Sequence, residues 1–203
     1  MGPLALDGHL LRGQRRRVFF AAMLEARASG REGLGVLDLL DLLYLGQEEG
    51  RAFGALRELV FALRRQFGPG VVERKGPLYV LGRGVVSDLE AFLHTPHTWL
   101  WRGRYLDGLA TDQVLWARVF RIAREAAQGL LCTQPQEAFR LLCLLAQEEP
   151  YDQGILAMLL QSLEALEQPG LRWRMYQKAR MRFLEVGLAL PEDLGEFLRG
   201  GFV

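Results

Sequence analysis

The 203-residue chain has only two cysteines and three histidines, and it has no long run of apolar residues. Cys132 and Cys143 lie in one predicted helical stretch, where we interpret them as small core residues rather than as a disulfide or a metal pair. The histidines are scattered, with no cysteine or carboxylate at ligand spacing, so we expect no metal site. Because neither a signal peptide nor an apolar run of about 18 residues is visible, we expect a cytoplasmic protein that does not enter a membrane.

The sequence also lacks the motifs of common enzymes. It contains no nucleophile elbow, no phosphate-binding loop and no pair of carboxylates in an obviously apolar cleft, so we expect no catalytic residues. Its 25 basic and 24 acidic residues nearly cancel, which leaves a net charge of +1. This balance excludes a generic nucleic-acid coat, and any contact with nucleic acid must come from local clusters.

The first half of the chain has the order of elements that is typical of a winged helix-turn-helix. Apolar periodicity and turn residues predict a strand pair over residues 3–11 with Asp7-Gly8 as its turn, helices over 14–28, 36–45 and 51–67, and a hairpin over 71–81. In such a fold, the third helix and the hairpin are the parts presented to DNA.

The predicted third helix combines an apolar stripe with a face that carries arginines. The stripe consists of Leu56, Leu59, Val60, Leu63 and Phe67. The opposite face carries the candidate DNA contacts Arg57, Phe61, Arg64 and Arg65, and the hairpin adds Arg74 and Lys75 for a DNA backbone or minor groove. Against this hypothesis, phosphates repel Glu58, and Phe61 could anchor a protein partner as well as meet a thymine methyl group. A solvated face with salt bridges inside the domain is a third interpretation.

A capping box marks the start of the second half. Ser87 is followed three residues later by Glu90, which predicts a new helix and a domain boundary, so we expect a winged-helix domain over 1–86 and a helical domain over 87–203. Apolar stripes then predict helices over 111–131, 136–147, 152–166 and 171–186. Helix pairs that begin about 35 residues apart indicate a tetratricopeptide-like repeat. The predicted fold class is therefore mainly α, with small β-hairpins in the first domain.

Several short motifs along the chain resemble a family of bacterial transcription regulators. Ala55-Leu56-Arg57 with Leu63-Arg64-Arg65 is similar to the third helix of SARP-type (Streptomyces antibiotic regulatory protein) factors, which join a winged helix to a bacterial transcriptional activation domain, or BTAD. The remaining matches are residues 85–92 with the inter-domain junction, Trp101-Arg102-Gly103 with the opening turn of the BTAD, and Glu149-Pro150-Tyr151-Asp152 with its repeat. The resemblance covers nearly the whole chain. It implies that the first domain binds double-stranded DNA and that the second mediates dimerisation or contacts RNA polymerase or another regulator.

The alternative hypothesis is an adaptor whose winged helix binds a protein partner around Phe61. Its regulation would involve a cyclic dinucleotide such as cyclic di-GMP, because residues 104–107 have the Arg-x-x-Asp pattern of some cyclic di-GMP receptors. In that pattern Arg104 would stack on a guanine and Asp107 would accept from its edge. Four residues with two fixed positions also occur often by chance.

Two further basic clusters have more than one explanation. Residues 15–17 are three arginines at the start of a predicted helix, where the helix dipole disfavours cations, and they would either dock to phosphates or pair with nearby acids. The second cluster consists of Arg172, Arg174, Lys178, Arg180 and Arg182. In one explanation, the helix packs within the repeat. In the other, it forms a binding surface for an acidic partner or an anionic ligand.

Overall fold

The computed structural model describes residue 2, residues 4–6 and residues 8–200. In chain order its strands and helices are β1 (Ala5–Leu6), β2 (His9–Leu10), α1 (Gln14–Ala28), β3 (Leu34–Gly35), α2 (Val36–Tyr44), α3 (Glu49–Phe67), β4 (Val72–Lys75), β5 (Leu78–Leu81), α4 (Asp88–His94), α5 (Gln113–Leu130), α6 (Pro135–Glu148), α7 (Gln153–Ala165), α8 (Pro169–Glu185) and α9 (Leu194–Arg199). The predicted fold class is confirmed: the chain is mainly helical, with small antiparallel sheets in its first half.

The chain divides into two compact units. The first contains the residues up to Thr95 together with Arg102–Arg118, and the second contains Pro96–Trp101 together with the residues from Val119 onward. Helix α4 belongs to the first unit because it packs on α1, where Arg27 Nε donates to Glu90 Oε1 at 2.8 Å. The compact units therefore divide the chain at other positions than the predicted domains 1–86 and 87–203, which stay a prediction.

The core of the first unit is formed by the apolar faces of its helices. Phe19 and Ala26 of α1 are fully buried, and at most 1% of the surface of Leu56 and Leu63 of α3 is exposed. Helix α2 packs against both α1 and α3. The apolar stripe predicted for the third helix thus faces the core, and its helix begins two residues earlier than predicted, at Glu49.

A three-stranded sheet with the order β3–β5–β4 follows the third helix. The predicted hairpin is confirmed by the antiparallel pair of β4 and β5, in which Val72 faces Leu81. Strand β3 was not predicted, because a pair of residues is too short to show periodicity. It joins the sheet through Leu34 opposite Tyr79, and Gly33 permits the approach: a Cβ on Gly33 would lie 2.2 Å from the Tyr79 carbonyl oxygen.

The predicted strand pair near the N-terminus is confirmed by the antiparallel pairing of β1 with β2. Its predicted turn includes Asp7, which lies outside the described residues. Gly8, the second turn residue, has a φ of 78°, a conformation that glycine adopts without strain.

The second unit is a stack of helices in which α7 packs against both α6 and α8. Proline occupies the first position of α6 and of α8, where its missing N–H is not needed. Asp152 caps α7 by accepting a hydrogen bond from the Ile155 N–H at 2.9 Å. Helix α7 buries residues around most of its circumference, as a central helix must.

The short helix α9 was missed by the sequence analysis. Its Phe197 is 1% exposed and lies in a cluster with Tyr176, Phe183 and Leu190. The Tyr176 hydroxyl also donates to the Pro191 carbonyl at 2.6 Å, which holds the approach to α9. Six residues are too few for a periodic pattern, so this helix depends on contacts that are distant in the sequence.

The two cysteines differ in their surroundings. Cys143 on α6 is half-buried, whereas Cys132 is exposed in the turn that follows α5. The prediction that both are core residues is therefore wrong for Cys132, because α5 ends before it. Within the described part of the chain, no helix is both long enough and apolar enough to cross a membrane.

Candidate nucleic-acid interface

The solvent-facing side of α3 carries the residues predicted to contact DNA. Arg57, Phe61 and Arg65 are spaced by four residues, so they lie along one face of the helix. All three are exposed, and the Phe61 ring has 66% of its surface open to solvent. Phe61 therefore takes little part in the core of the first unit.

This face and the β4–β5 hairpin enclose a shallow depression. It is lined from α3 by Arg57, Glu58, Val60, Phe61 and Arg64, and from the hairpin by Arg74 and Tyr79. The structure therefore brings four of the six predicted site residues to one concave surface, with Glu58 as its acidic member. Arg65 and Lys75 are not among the residues that line it.

Two arginines of the depression are held by the protein itself. Arg64 Nε donates to the Val72 carbonyl at 2.8 Å and so ties α3 to the first strand of the hairpin. Arg74 Nε donates to the Gly76 carbonyl at 3.1 Å, and its guanidinium lies 5.7 Å from the centre of the Tyr79 ring. These contacts restrict the position of both guanidinium groups at the depression.

The hairpin lysine has an acidic neighbour. Lys75 Nζ lies 3.0 Å from Glu32 Oε1, and both side chains are about half exposed or more. An exposed ion pair of this kind contributes little to stability and exchanges easily with solvent. A phosphate at Lys75 would have to compete with the Glu32 carboxylate.

The arginine run at the start of α1 is accounted for by partners inside the first unit. The Arg15 guanidinium lies 4.9 Å from the centre of the Tyr44 ring, Arg16 Nη1 donates to Gln66 Oε1 at 3.5 Å, and Arg17 forms an ion pair with Asp107. Burial raises the pKa of the Tyr44 hydroxyl, Arg15 opposes that rise, and Glu58 adds to it. Of the two explanations for this run, pairing with a nearby acid is confirmed for Arg17.

The Arg-x-x-Asp segment forms a 3-10 turn at Tyr105–Gly108. Its Asp107 carboxylate is engaged by Arg17, and the guanidinium of the exposed Arg104 lies against Gly108. Leu106 and Asp107 both have positive φ angles, of 42° and 60°, so this short turn has an uncommon backbone conformation. A guanine base at this turn would have to displace Arg17 from Asp107.

A buried carboxylate beside this turn was not singled out from the sequence. Glu25 on α1 is fully buried, and its Oε2 accepts from the Thr111 N–H at 2.8 Å and from the Asp112 N–H at 3.1 Å. Burial raises the pKa of Glu25, although its hydrogen bonds from Thr111 and Asp112 lower that pKa. Glu25 sits among apolar residues of α1, and only its nonlocal partners distinguish it from a solvent-facing glutamate.

Comparison with known proteins supports the type of fold described above. No family model matches the chain, and no curated protein matches it. Among solved structures the chain is similar to Mycobacterium tuberculosis EmbR, determined in complex with a low-affinity phosphopeptide, with a TM-score of 0.56 and 18% sequence identity. The match covers 98% of this chain and 62% of the EmbR chain, so this chain spans less than two thirds of that protein. At this identity the likeness concerns the fold alone, a winged helix followed by a helical domain.

Proposed function

We propose that the chain is a transcription regulator of the SARP type that binds double-stranded DNA through α3 and the β4–β5 hairpin. The observation that carries the proposal is the convergence of Arg57, Arg64 and Arg74 on one concave surface. A helix face with arginines beside a two-stranded wing has the form and charge that a winged helix uses to enter a groove. Arg65 and Lys75, at the margins of this surface, would contact flanking phosphates.

The charge of the surface predicts how binding depends on salt. Each phosphate contact releases condensed counterions, so the logarithm of the binding constant falls with the logarithm of salt concentration by about 0.9 per contact. If Arg57, Arg64, Arg65, Arg74 and Lys75 each met one phosphate, the slope would be roughly −4.5. Glu58 opposes phosphates, and we propose that it accepts a hydrogen bond from a cytosine amine.

Phe61 gives the surface an apolar contact at its centre. Its exposed ring would pack against the methyl group of a thymine, an interaction that contributes sequence preference rather than general affinity. Replacing Phe61 with alanine should therefore reduce discrimination between sequences more than it reduces the salt slope.

The helical unit would mediate dimerisation or contact RNA polymerase or another regulator, as the resemblance implies. A homodimer would place two winged helices on a site with two half-sites. Sedimentation of the full chain with and without its selected DNA measures the number of copies bound.

The decisive experiment is a selection of genomic DNA fragments on the immobilised full chain across a salt series. We expect a sequence to be enriched at moderate salt and the slope to fall by about one unit in Arg57→Ala and in Arg65→Ala. Arg121→Ala is the matched control, since Arg121 is an exposed arginine that pairs with Glu125 at 2.8 Å on α5. Failure to enrich any sequence, or an equal loss in the control, would refute the proposal.

The exposed ring of Phe61 also favours a second candidate function, an adaptor that binds a protein partner through the same surface. In that case a partner should copurify in fixed proportion and be lost with Phe61→Asp, while Arg57→Ala and Arg65→Ala should have smaller effects. Clean binding to a selected DNA site without any such partner would remove this candidate.

Binding of cyclic di-GMP at Arg104 and Asp107 is a separate hypothesis within the adaptor proposal. The ligand would have to compete with Arg17 for the Asp107 carboxylate, so Arg17→Ala should strengthen binding if the site exists. Calorimetry of the full chain against cyclic di-GMP tests this directly. An absence of heat in both the parent chain and Arg17→Ala would reject it.

A further inference from the structure

Three of the five basic side chains on α8 have partners within the second unit. Arg172 pairs with Glu164 at 3.0 Å, Arg180 pairs with Glu192 at 3.4 Å, and Arg174 Nε donates to the Gly170 carbonyl at 3.3 Å. These contacts account for most of the basic cluster in terms of helix packing. They leave Lys178 and Arg182, four residues apart and hence on the same face of α8.

Lys178 and Arg182 lie at a cavity of about 350 Å³ between α6, α7 and α8. Both side chains are exposed, and neither forms an ion pair with any residue that the structure describes. The volume is at the lower end of the range for small-molecule sites, which is roughly 300–1,000 Å³. It is too small for a folded partner but sufficient for a compact ligand.

The remaining walls of the cavity are largely apolar. They include Ile155 and Leu159 of α7 and Met175 and Phe183 of α8. Apolar atoms that line an open cavity gain free energy when an apolar ligand displaces water from them. The cavity thus combines an apolar interior with two cations on one wall.

The acidic residues around the cavity do not cancel these cations. Asp152 is already engaged, since it caps α7 through the Ile155 N–H and also accepts from Arg124 Nη1 at 3.4 Å. Among the described lining residues, Glu149 is the other carboxylate. The charges not engaged in ion pairs at this cavity are therefore two positive and one negative, which favours an anion at the α8 wall.

We propose that this cavity binds a small amphipathic carboxylate, with its apolar body on Ile155, Leu159 and Phe183 and its carboxylate held by Lys178 and Arg182. Two cations on the same helical face can both donate hydrogen bonds to one carboxylate. Charge-assisted hydrogen bonds of this type are about twice as strong as neutral ones. The ligand is a free small molecule, because the cavity accommodates a single short apolar body rather than an extended chain.

The two cysteines provide a reporter and an internal reference for this site. Cys143 lines the cavity, and burial raises the pKa of its thiol, whereas Cys132 is exposed. A ligand in the cavity should therefore slow alkylation of Cys143 and leave alkylation of Cys132 unchanged. The two alkylation rates are measured by mass spectrometry of the peptides that contain each cysteine. Their ratio corrects for differences in reagent concentration and in the fraction of folded protein.

The experiment uses the full chain with decanoate as the probe and decanol as its neutral counterpart, both below their aggregation limits. We expect decanoate to protect Cys143 and to bind at least tenfold more tightly than decanol. Lys178→Gln and Arg182→Gln should each weaken decanoate binding by about tenfold, the effect of losing one charge-assisted contact. Arg174→Gln is the matched control on the same helix, since Arg174 does not line the cavity, and it should bind as the parent chain does.

Several results would overturn the proposal. Equal binding of decanoate and decanol would show that the cations have no role, and equal losses of decanoate binding in Arg174→Gln and Lys178→Gln would show that only the general charge of α8 matters. Ala146→Phe fills the cavity from α6 and leaves both cations in place, so adding decanoate should no longer slow the alkylation of Cys143 in this variant. Protection by decanoate that persists in Ala146→Phe would refute a site in this cavity, and protection by an acidic peptide but not by decanoate would refute a small-molecule site.

Discussion

The buried carboxylate of Glu25 offers a sharp test of what holds the first unit together. It accepts hydrogen bonds from the Thr111 N–H, the Thr111 hydroxyl and the Asp112 N–H, which all belong to one distant segment of the chain. We compare two substitutions: Glu25→Ala removes the acceptor, whereas Glu25→Gln keeps an oxygen of similar position without the charge.

The expected magnitudes follow from these contacts. A buried donor that loses its acceptor costs about 1–3 kcal/mol, and Glu25→Ala affects three donors and leaves a small cavity. Thr111 is exposed, so water can replace part of the lost interactions. We therefore expect Glu25→Ala to lower the free energy of unfolding by about 3 kcal/mol and Glu25→Gln to change it by less than about 1 kcal/mol at neutral pH.

The dependence on pH distinguishes the charge from the hydrogen bonds. Burial raises the pKa of Glu25 in the folded chain above the usual 4.5, so the folded chain binds this proton more tightly than the unfolded chain does. The contribution of Glu25 to stability is therefore largest below pH 4.5 and declines as the pH rises toward the pKa in the folded state. Glu25→Gln has no such proton, and its stability relative to the parent chain should rise over the same interval.

Urea unfolding of the parent chain, Glu25→Gln and Glu25→Ala between about pH 4 and pH 7.5 measures both effects. The difference between the parent chain and Glu25→Gln cancels the contributions of other carboxylates, including Asp112, whose pKa is lowered mainly by its hydrogen bond from the Leu115 N–H. A difference that stays constant with pH would refute the burial of an ionisable carboxylate. A loss below 1 kcal/mol in Glu25→Ala would refute the role of its hydrogen bonds.

Three further substitutions test separate parts of the fold. Gly33→Ala should lower the free energy of unfolding in urea by about 2 kcal/mol or more, because the new Cβ would lie 2.2 Å from the Tyr79 carbonyl oxygen. An unchanged urea midpoint would contradict the close approach of Gly33 to β5. Asp152→Ala should lower the same free energy by about 1–2 kcal/mol because it removes the cap of α7, whereas Asp152→Asn should retain most of this stability. Equal losses in the two variants would contradict the cap. Phe197→Ala should cost about 3–5 kcal/mol in thermal unfolding, because its ring is 1% exposed; a loss below 1 kcal/mol would show that α9 does not belong to the core.

The sequence predicted the long helices well because their apolar periodicity is a local property. Helix α1 has the predicted bounds, and the hydrogen bond from the Glu90 N–H to Ser87 Oγ at 3.1 Å confirms that Ser87 caps the next helix. The Glu90 side chain accepts from Arg27 Nε instead of completing the predicted capping box. Strand β3 and helix α9 were missed for the opposite reason. Both are short, and each is stabilised by residues far away in the sequence, such as Tyr79 for β3 and Tyr176 for α9.

The candidate site shows the same limit. Helical spacing was sufficient to predict that Arg57, Phe61 and Arg65 share the exposed face of α3. It could not predict that Arg64 binds the Val72 carbonyl or that Lys75 pairs with Glu32, because those contacts depend on how the hairpin folds back. Which residues lie on the surface was thus predictable, but which of them already have partners was not.

The anchoring of residues 105–112 on α1 has a consequence for how the protein is made. During synthesis α1 leaves the ribosome long before Thr111 and Asp107 are added, so Glu25 and Arg17 lack their partners until that later segment emerges. The winged helix would therefore complete its folding only after translation has passed well beyond its own last strand. For the same reason, a fragment cut at residue 86 would lack the donors of the Glu25 carboxylate, and a fragment that ends at Arg118 is the shorter piece we expect to fold.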